Sequence, residues 1–382
     1  MIPRFSRNES EAKAYLDEHG FVVLGDVLAA DELARVQRGW DSVVRDAANS
    51  LSLPEEEFVA RFPQNRDLWR KSEDFRGLLF ETQQWRCASQ LLGVSGVRLF
   101  HDHAICKPTR RSATIPWHQD SAYWPLDRVG LSLWTPVNDV PLDGGCLKVL
   151  DGSHRDGPGE PQDFLGSSTV NHDADSRLVS IPVNRGETVV LNGLTWHGSA
   201  PNEGGPERIA YLTLWVPATS RFRPEHARWH PTTANIHVAP GEHLTGEWFP
   251  LFGNLAAFDE GQEVIFPPPK ASSGPSMFSA SSDIGAQLAR LLGCERRSMA
   301  EMLDEHGQDA VVSRSIANAL IGQHQEPVLR TLLRDLVLQE QVRKQSTARD
   351  VYLQIVARWW NVIGKQLNET QQLTAVENSQ PR

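Results

Sequence analysis

The sequence predicts a mainly β fold with helices on both sides of it. Beyond Gly96, short apolar runs alternate with Gly, Pro, Asn and Asp, whereas the segments before and after this region have helical composition. Short strands with frequent turn signals are typical of an all-β sandwich or barrel rather than of βαβ units. The 382 residues contain no visible repeat and suffice for two or three domains, or for one large domain with an appendage.

Helices predominate in the predicted N-terminal part. Gly20 ends the first helical segment, because glycine is favoured just past the last helical turn, and Pro63 interrupts a later one. The predicted elements of this part are a helix over 10–19, a strand over 21–24, a helix from Glu32 that Asp31 can cap, and a helical stretch over 54–92.

Five apolar runs form the predicted β core. Each is bounded by turn residues and has the length of an ordinary strand. The five predicted strands lie at 97–106, 131–137, 146–150, 188–191 and 209–216.

The composition also predicts a division of the chain. Residues 1–266 are expected to form one domain, in which N-terminal helices (1–95) and the β core (96–220) precede a His-, Pro- and Gly-rich loop or lid region (221–266). The Pro- and Ser-rich residues 267–276 predict a linker, and residues 277–382 predict a helical extension with capping signals.

Charge and cysteine content restrict the functional classes. The 48 acidic residues outnumber the 38 Lys and Arg, giving a net charge of −10, so we expect no nucleic-acid partner. Neither a secretion signal nor a membrane-spanning run is visible. The four cysteines form no CxxC pair, which favours a reduced compartment. We therefore expect a cytoplasmic protein with no membrane association.

His118 and Asp120 form an HxD tripeptide, the first chemical signal in the chain. In a strand, residues i and i+2 point to the same face, so the imidazole and the carboxylate could converge on one metal ion. The alternative is a surface histidine next to an aspartate in a turn, because HxD occurs by chance in many proteins.

His197 follows an apolar strand and could supply a third ligand. Two histidines and one carboxylate suit non-haem Fe(II), because three coordination positions stay open for a cosubstrate and oxygen. Arg208 lies eleven residues further on, at the head of the next strand, where its guanidinium could bind a carboxylate bidentately. The alternative for Arg208 is an ordinary surface ion pair.

Several different short motifs follow one another along the chain. They are Tyr15–Leu24, Pro116–Asp120 with Tyr123-Trp124, Leu133–Val137, Gly144-Gly145, Gly152–His154, and the unit from His197 to Arg208. With these motifs the sequence resembles the phytanoyl-CoA dioxygenase family of Fe(II)/2-oxoglutarate-dependent oxygenases, from about Leu16 to about Gly253. The resemblance implies a double-stranded β-helix, a jelly roll related to the cupins, as the core of the domain.

The same resemblance implies a set of site residues. His118, Asp120 and His197 would be the catalytic metal ligands, and Arg208 would hold the C5 carboxylate of 2-oxoglutarate. Further cosubstrate contacts would be a hydroxyl from Ser199, the pocket-lining ring of Trp134, and His103. For Ser199 and Trp134, turn formation and core packing are the alternatives, and a histidine at 103 departs from the residues more usual in the family.

The resemblance implies a dioxygenase with Fe(II), 2-oxoglutarate and O2. It would hydroxylate, desaturate or cyclise a small-molecule metabolite while 2-oxoglutarate is decarboxylated to succinate and CO2. Asp120 favours these reactions over halogenation, since related halogenases have a small residue in its place. Two alternatives stay open: a cupin-like metal enzyme that does not use 2-oxoglutarate, and an idle jelly roll that serves as an interaction module. The C-terminal helices could also form a homodimer. The candidate pocket walls are Trp117, Tyr123, Trp124 and Trp134.

Overall fold

The computed structural model of the protein describes residues 2–51, 54–61, 64–160, 170–226, 232, 235–254 and 264. The predicted linker over 267–276, the helical extension over 277–382 and any homodimer formed through that extension lie outside the described residues.

Two antiparallel sheets form the β core within these ranges. The strands are β1 (Phe21–Leu24), β2 (Gln64–Arg66), β3 (Gly96–Lys107), β4 (Ile115–His118), β5 (Leu131–Pro136), β6 (Leu147–Leu150), β7 (Leu178–Ile181), β8 (Thr188–Asn192), β9 (His197–Ser199), β10 (Arg208–Pro217) and β11 (Leu251–Gly253). The large sheet has the order β1-β8-β5-β10-β3-β11, with β2 also paired to β3, and the small sheet has the order β4-β9-β6-β7. Two such sheets packed face to face form a jelly roll.

The five strands expected from the apolar runs are all present and correspond to β3, β5, β6, β8 and β10. The short strand β1 is present too. It pairs with β8, so the N-terminal part contributes an edge strand to the large sheet. Five further short strands, β2, β4, β7, β9 and β11, were not among the predicted runs, because runs of three or four residues carry little periodicity.

The helices α1 (Ser10–His19), α2 (Ala30–Leu51), α3 (Glu55–Arg61), α4 (Glu73–Glu81) and α5 (Gln84–Leu92) precede the core. As expected, Gly20 ends α1, with a φ of 77° that suits glycine. The expectation that Asp31 caps α2 is wrong. The Glu32 carboxylate instead accepts a hydrogen bond from the backbone N–H of Ala29, so the helix begins earlier and Asp31 lies in its first turn.

Alternate residues of the large sheet build two separate apolar layers. On its outer face, side chains from β1, β3, β5, β8 and β10 pack against α1, α4 and α5 in a cluster that includes Leu16, Val22, Leu91, Leu133 and Trp215. On its inner face, residues of β1, β5, β8 and β10 meet the small sheet, in a cluster that includes Phe21, Trp134, Val149, Val189 and Ala210. The alternation of strand side chains therefore separates structural packing outside from the interior of the jelly roll.

A β-bulge interrupts this alternation in β3. Leu214 of β10 pairs with His101, whereas the next residue, Trp215, pairs with Leu99, so Phe100 is an extra residue on the β3 side. Leu99 belongs to the outer cluster, while Phe100 packs in a different one with Leu214.

A buried carboxylate links the large sheet to the helical layer. Asp102 on β3 is fully buried, and its Oδ2 accepts hydrogen bonds from the Tyr211 hydroxyl at 3.1 Å and the Trp69 backbone N–H at 3.0 Å. Burial raises the pKa of Asp102 to about 7. None of the helices in the described ranges has the length and hydropathy of a membrane-spanning segment.

Candidate metal centre

Three potential metal ligands converge between the strands of the small sheet. His118 ends β4 and pairs with His197 at the start of β9, so the strand pairing itself brings the two imidazoles together. Asp120 Oδ1 lies 3.5 Å from Nε2 of His118 and 3.8 Å from Nε2 of His197. The ligand atoms of all three residues lie within 4.8 Å of one another, and no other such group occurs among the described residues.

Asp120 reaches this position from a turn and not from a strand. β4 ends at His118, and Asp120 begins a short 3-10 helix (Asp120–Tyr123). The Ser121 N–H donates to the Gly193 carbonyl at 2.9 Å, and the Gln119 side chain donates to the Leu194 carbonyl at 2.6 Å. These bonds tie the turn to the loop before His197, so strand alternation, the reason given by the sequence, does not apply.

Both histidines are held in the tautomer that a metal ligand needs. Nδ1 of His118 lies 2.7 Å from the Pro116 carbonyl, and Nδ1 of His197 lies 2.9 Å from the Thr195 carbonyl. A carbonyl only accepts, so each Nδ1 carries the proton and each Nε2 presents its lone pair towards Asp120. Burial, followed by the charge of His118, lowers the pKa of His197 to about 4. The donor set therefore fits a divalent metal at neutral pH.

The second oxygen of Asp120, Oδ2, is held by a hydrogen bond. Ser132 on β5 donates its hydroxyl to Asp120 Oδ2 at 2.5 Å, which leaves Oδ1 to face the two imidazoles. Burial favours a higher pKa for Asp120, but the two histidines and the Ser132 hydrogen bond outweigh it and keep the pKa well below its ordinary value. Asp120 is therefore an anionic group with one oxygen that could bind a metal.

Arg208 and Ser199 leave buried donors without partners. Nη1 of Arg208 donates to the Gly145 carbonyl, and the guanidinium lies 5.3 Å from the ring centre of Trp134. Nε and Nη2 of Arg208 and the Ser199 hydroxyl have no hydrogen-bond partner in the described part of the chain. Burial lowers the pKa of Arg208 to about 10, so it stays charged at neutral pH. Buried polar groups require partners, and these donors suit a carboxylate.

Lys107 supports this end of the site, although it was not among the residues predicted from the sequence. It pairs with Arg208 across β3 and β10, and its Nζ donates to the carbonyls of Ser199 at 3.2 Å and Ala200. Burial, followed by the charge of Arg208, lowers its pKa. Gly145 is required beside it: its φ is +73°, and a Cβ there would lie 3.1 Å from both Lys107 Cδ and the Ala200 carbonyl.

His103 and Trp134 lie on the same interior surface. His103 pairs with Leu212 of β10, and Leu212 in turn pairs with Trp134 of β5. Burial, followed by the charge of Arg66, lowers the pKa of His103 well below its ordinary value, and the charges of Asp120 and His118 also act on it. The structure therefore brings both predicted residues to the interior near the triad and Arg208.

The candidate pocket walls are distributed differently. Tyr123 lies near the site, with its ring centre 6.4 Å from that of His118. Trp124 instead packs in a core cluster with Phe100, and the ring of Trp117 lies nearly perpendicular to that of His172. Each expected ring is placed, but only Tyr123 and Trp134 lie beside the candidate ligands.

Two supporting residues were missed by the sequence. Ser132 shares a strand face with Trp134, two residues away, and Lys107 is a charged residue at the end of an apolar strand. The alternation of strand side chains could have pointed to Ser132, and the charge at the end of an apolar strand could have pointed to Lys107.

A jelly roll with a His-X-Asp and distant His triad in its interior, followed by a buried arginine on the next strand, has the architecture of the Fe(II)/2-oxoglutarate-dependent oxygenases. The model of the phytanoyl-CoA dioxygenase family matches residues 16–210, about half of the chain. The chain belongs to this family, as the sequence motifs predicted.

Curated relatives agree with this assignment. Phytanoyl-CoA dioxygenase, peroxisomal, from Rattus norvegicus is 24% identical over 223 residues, which cover 50% of this chain and 63% of the rat protein. The chain thus spans less than two thirds of that relative's length. Phytanoyl-CoA dioxygenase domain-containing protein 1 from Bos taurus is 27% identical over 267 residues, 52% of this chain and 90% of the bovine protein.

Solved structures share the fold. The non-haem alpha-ketoglutarate-dependent carbocyclase SnoK from nogalamycin biosynthesis superimposes with a TM-score of 0.52 at 21% identity, covering 65% of this chain and 99% of its own. The epimerase SnoN from the same biosynthesis gives a TM-score of 0.50 at 22% identity, covering 63% and 96%. The predicted jelly-roll core is therefore confirmed.

Proposed function

We propose that the protein is a non-haem Fe(II)- and 2-oxoglutarate-dependent dioxygenase. It hydroxylates, desaturates or cyclises a small-molecule metabolite and converts 2-oxoglutarate to succinate and CO2. The observation that carries this proposal is the pairing of two incomplete sites in one interior. One is a triad of side chains that can ligate a metal. The other is a buried set of hydrogen-bond donors, on Arg208 and Ser199, that lack a partner and could bind a carboxylate.

His118, Asp120 and His197 would hold the metal, which supplies oxygen activation coupled to decarboxylation of the cosubstrate when it is bound. The two histidines are neutral donors whose orientation is fixed by backbone carbonyls. Asp120 contributes the negative charge through Oδ1 while Ser132 holds Oδ2. Three protein ligands would leave the other coordination positions of the metal open to the cosubstrate and oxygen.

Arg208 and Ser199 would bind the distal carboxylate of 2-oxoglutarate. The two free nitrogens of the guanidinium can hold it bidentately, and the Ser199 hydroxyl adds a third donor. Lys107 fixes the backbone around Ser199, while Trp134 covers the guanidinium and keeps water away. The low exposure of these groups strengthens each charge-assisted bond. His103 would contact the cosubstrate nearer to the metal.

Asp120 supports hydroxylation, desaturation or ring formation over halogenation, because the carboxylate takes the position that halogenation leaves open. A cupin-like metal enzyme without 2-oxoglutarate leaves the unpartnered donors of Arg208 and Ser199 unused. For this reason the 2-oxoglutarate-dependent reading is preferred.

The test is an anaerobic titration of the protein with Fe(II) and 2-oxoglutarate, followed by visible absorption. We expect a charge-transfer band in the wild-type protein and its loss in His197→Ala. Arg208→Met should keep metal binding but weaken 2-oxoglutarate binding. The matched control is Arg98→Met, since Arg98 is also buried on the large sheet and donates Nη1 to a backbone carbonyl, that of Phe249.

A band of equal intensity in the wild type and in His197→Ala would contradict the proposed metal site. Metal binding without any effect of 2-oxoglutarate would favour the cupin-like alternative. Once the band is established, a metabolite screen for succinate release identifies the primary substrate.

A further inference from the structure

Three basic side chains form a row that leads to the candidate site. Arg66 lies on β2, which pairs with β3 so that Arg66 is opposite His103. Nη2 of Arg66 is 3.1 Å from Nε2 of His101, and Nδ1 of His101 is 3.4 Å from Nδ1 of His103. All three residues are buried, with exposed fractions of 7%, 1% and 5% in that order.

The donor capacity of arginine fixes the direction of this row. A guanidinium only donates, so Nε2 of His101 accepts, and a neutral His101 then carries its proton on Nδ1. That proton points at Nδ1 of His103, which must accept, because two facing N–H groups at this distance would repel each other. A neutral His103 therefore carries its proton on Nε2.

The strand register places the end of the row beside the site. His103 shares a row with Leu212 and Trp134, and His101 shares the adjacent row with Leu214 and Ser132, the residue that holds Asp120. In the described part of the chain, His103 makes no hydrogen bond except the one to His101. Its Nε2, on the opposite side of the ring from His101, is thus a donor available to a ligand.

We propose that Arg66 and His101 are positioning residues that lock His103 as the Nε2–H tautomer, so that it donates to the metal-proximal carboxylate of 2-oxoglutarate. The identity of this ligand rests on the proposed function, whereas the tautomers do not. The guanidinium behind two imidazoles polarises the row towards the ligand, since hydrogen bonds in a buried chain strengthen one another. A carboxylate of the primary substrate has the same chemistry and is the competing source.

The tautomers are measurable without any bound ligand. Imidazole 15N shifts of the metal-free protein, with signals assigned by the single variants His101→Gln and His103→Gln, should show Nδ1–H for His101 and Nε2–H for His103. Arg66→Met should abolish this fixed pattern, while Arg66→Lys, which keeps a donor, should retain it. A wild-type His103 with its proton on Nδ1 overturns the proposal, even if Arg66→Met fails to fold.

Ligand binding provides the second readout. In the anaerobic Fe(II) protein, Arg66→Met and His103→Leu should each bind 2-oxoglutarate roughly tenfold more weakly, the loss expected for a hydrogen bond to a charged group. Their charge-transfer band should move to shorter wavelength, because the donor no longer stabilises the acceptor orbital of the chelated end. Arg66→Lys should restore both values. Arg98→Met, equally buried at 7% exposure, should change neither.

The outcomes separate the two proposals. If the wild type binds 2-oxoglutarate but Arg66→Met leaves affinity and band position unchanged, the cosubstrate contact is wrong while the proposed function stands. A variant that loses only affinity for the primary substrate assigns the donor to that substrate and likewise overturns the cosubstrate contact. If the wild type binds no 2-oxoglutarate, both proposals fail.

Discussion

Replacing Ser132 by alanine removes one hydrogen bond from the candidate metal centre and little else. The hydroxyl donates to Asp120 Oδ2 at 2.5 Å from a residue that is only 1% exposed. Water therefore cannot easily take its place. Asp120 would still carry its charge, but its carboxylate would be free to rotate and to present either oxygen to the metal.

The expected loss of metal affinity follows from the negative charge on the acceptor, the Asp120 carboxylate. A hydrogen bond to a charged group contributes about 1.5–3 kcal/mol, which corresponds to a roughly ten- to hundredfold change in an equilibrium constant. Removing a hydrogen-bond partner of a metal ligand elsewhere weakens metal binding by roughly ten- to a hundredfold. Both routes predict a metal dissociation constant raised by at least about tenfold in Ser132→Ala.

The assay is calorimetric titration of the metal-free protein with Mn(II), which resists oxidation by air better than Fe(II). The control is Ser220→Ala, because Ser220 is also buried, at 0% exposure, and its hydroxyl has no hydrogen-bond partner among the described residues. Ser220→Ala should bind Mn(II) as the wild type does. Equal affinities in all three proteins, or equal losses in both variants, would refute the assigned role of Ser132.

Three further predictions concern the cosubstrate end and the fold. Lys107→Met should weaken 2-oxoglutarate binding about tenfold at unchanged Mn(II) affinity, since it releases two backbone carbonyls, whereas Lys148→Met, which loses an ion pair of a half-buried lysine, should not. Because the folded state holds the Asp102 proton up to about pH 7 while the unfolded chain releases it near pH 4, the free energy of unfolding should fall by up to about 4 kcal/mol over this interval. Denaturant titrations at both pH values should show a smaller fall in Asp102→Asn. Phe75→Ala should lower the free energy of unfolding by about 3–5 kcal/mol, because the ring is fully buried and its centre lies 5.0 Å from that of Tyr211. The same denaturant titrations measure this change, and an unchanged free energy would contradict the packing.

The β core and the placement of the candidate ligands were predictable because they depend on local patterns. Apolar runs between turn residues located the strands β3, β5, β6, β8 and β10. The spacing of His118, Asp120, His197 and Arg208 indicated a shared site, and the structure brings the first three together with Arg208 in the same interior. Each of these signals is a short motif, although the motifs themselves lie far apart in the chain.

Ser132 and Lys107 were harder to predict because their roles depend on which strands are neighbours. A single serine in an apolar strand has no pattern of its own, and its bond to Asp120 spans twelve residues and two elements. Lys107 acts on the carbonyls of Ser199 and Ala200 because β3 pairs with β10, which begins at Arg208. The row from Arg66 likewise requires the short strand β2, whose three residues carry no periodicity.

The extra residue at Phe100 divides β3 into two halves with opposite assignments of odd and even positions. Before it, Val97 and Leu99 pack outside against the helices, whereas after it His101 and His103 lie inside. If Phe100 instead paired with β10 as part of a regular ladder, one half of β3 would have to exchange its faces. Either two imidazoles would enter the helical layer, or two aliphatic side chains would leave it. Whether this jelly roll has an interior suited to chemistry therefore depends on which face each side chain of β3 points to, and not only on which side chains the strand carries.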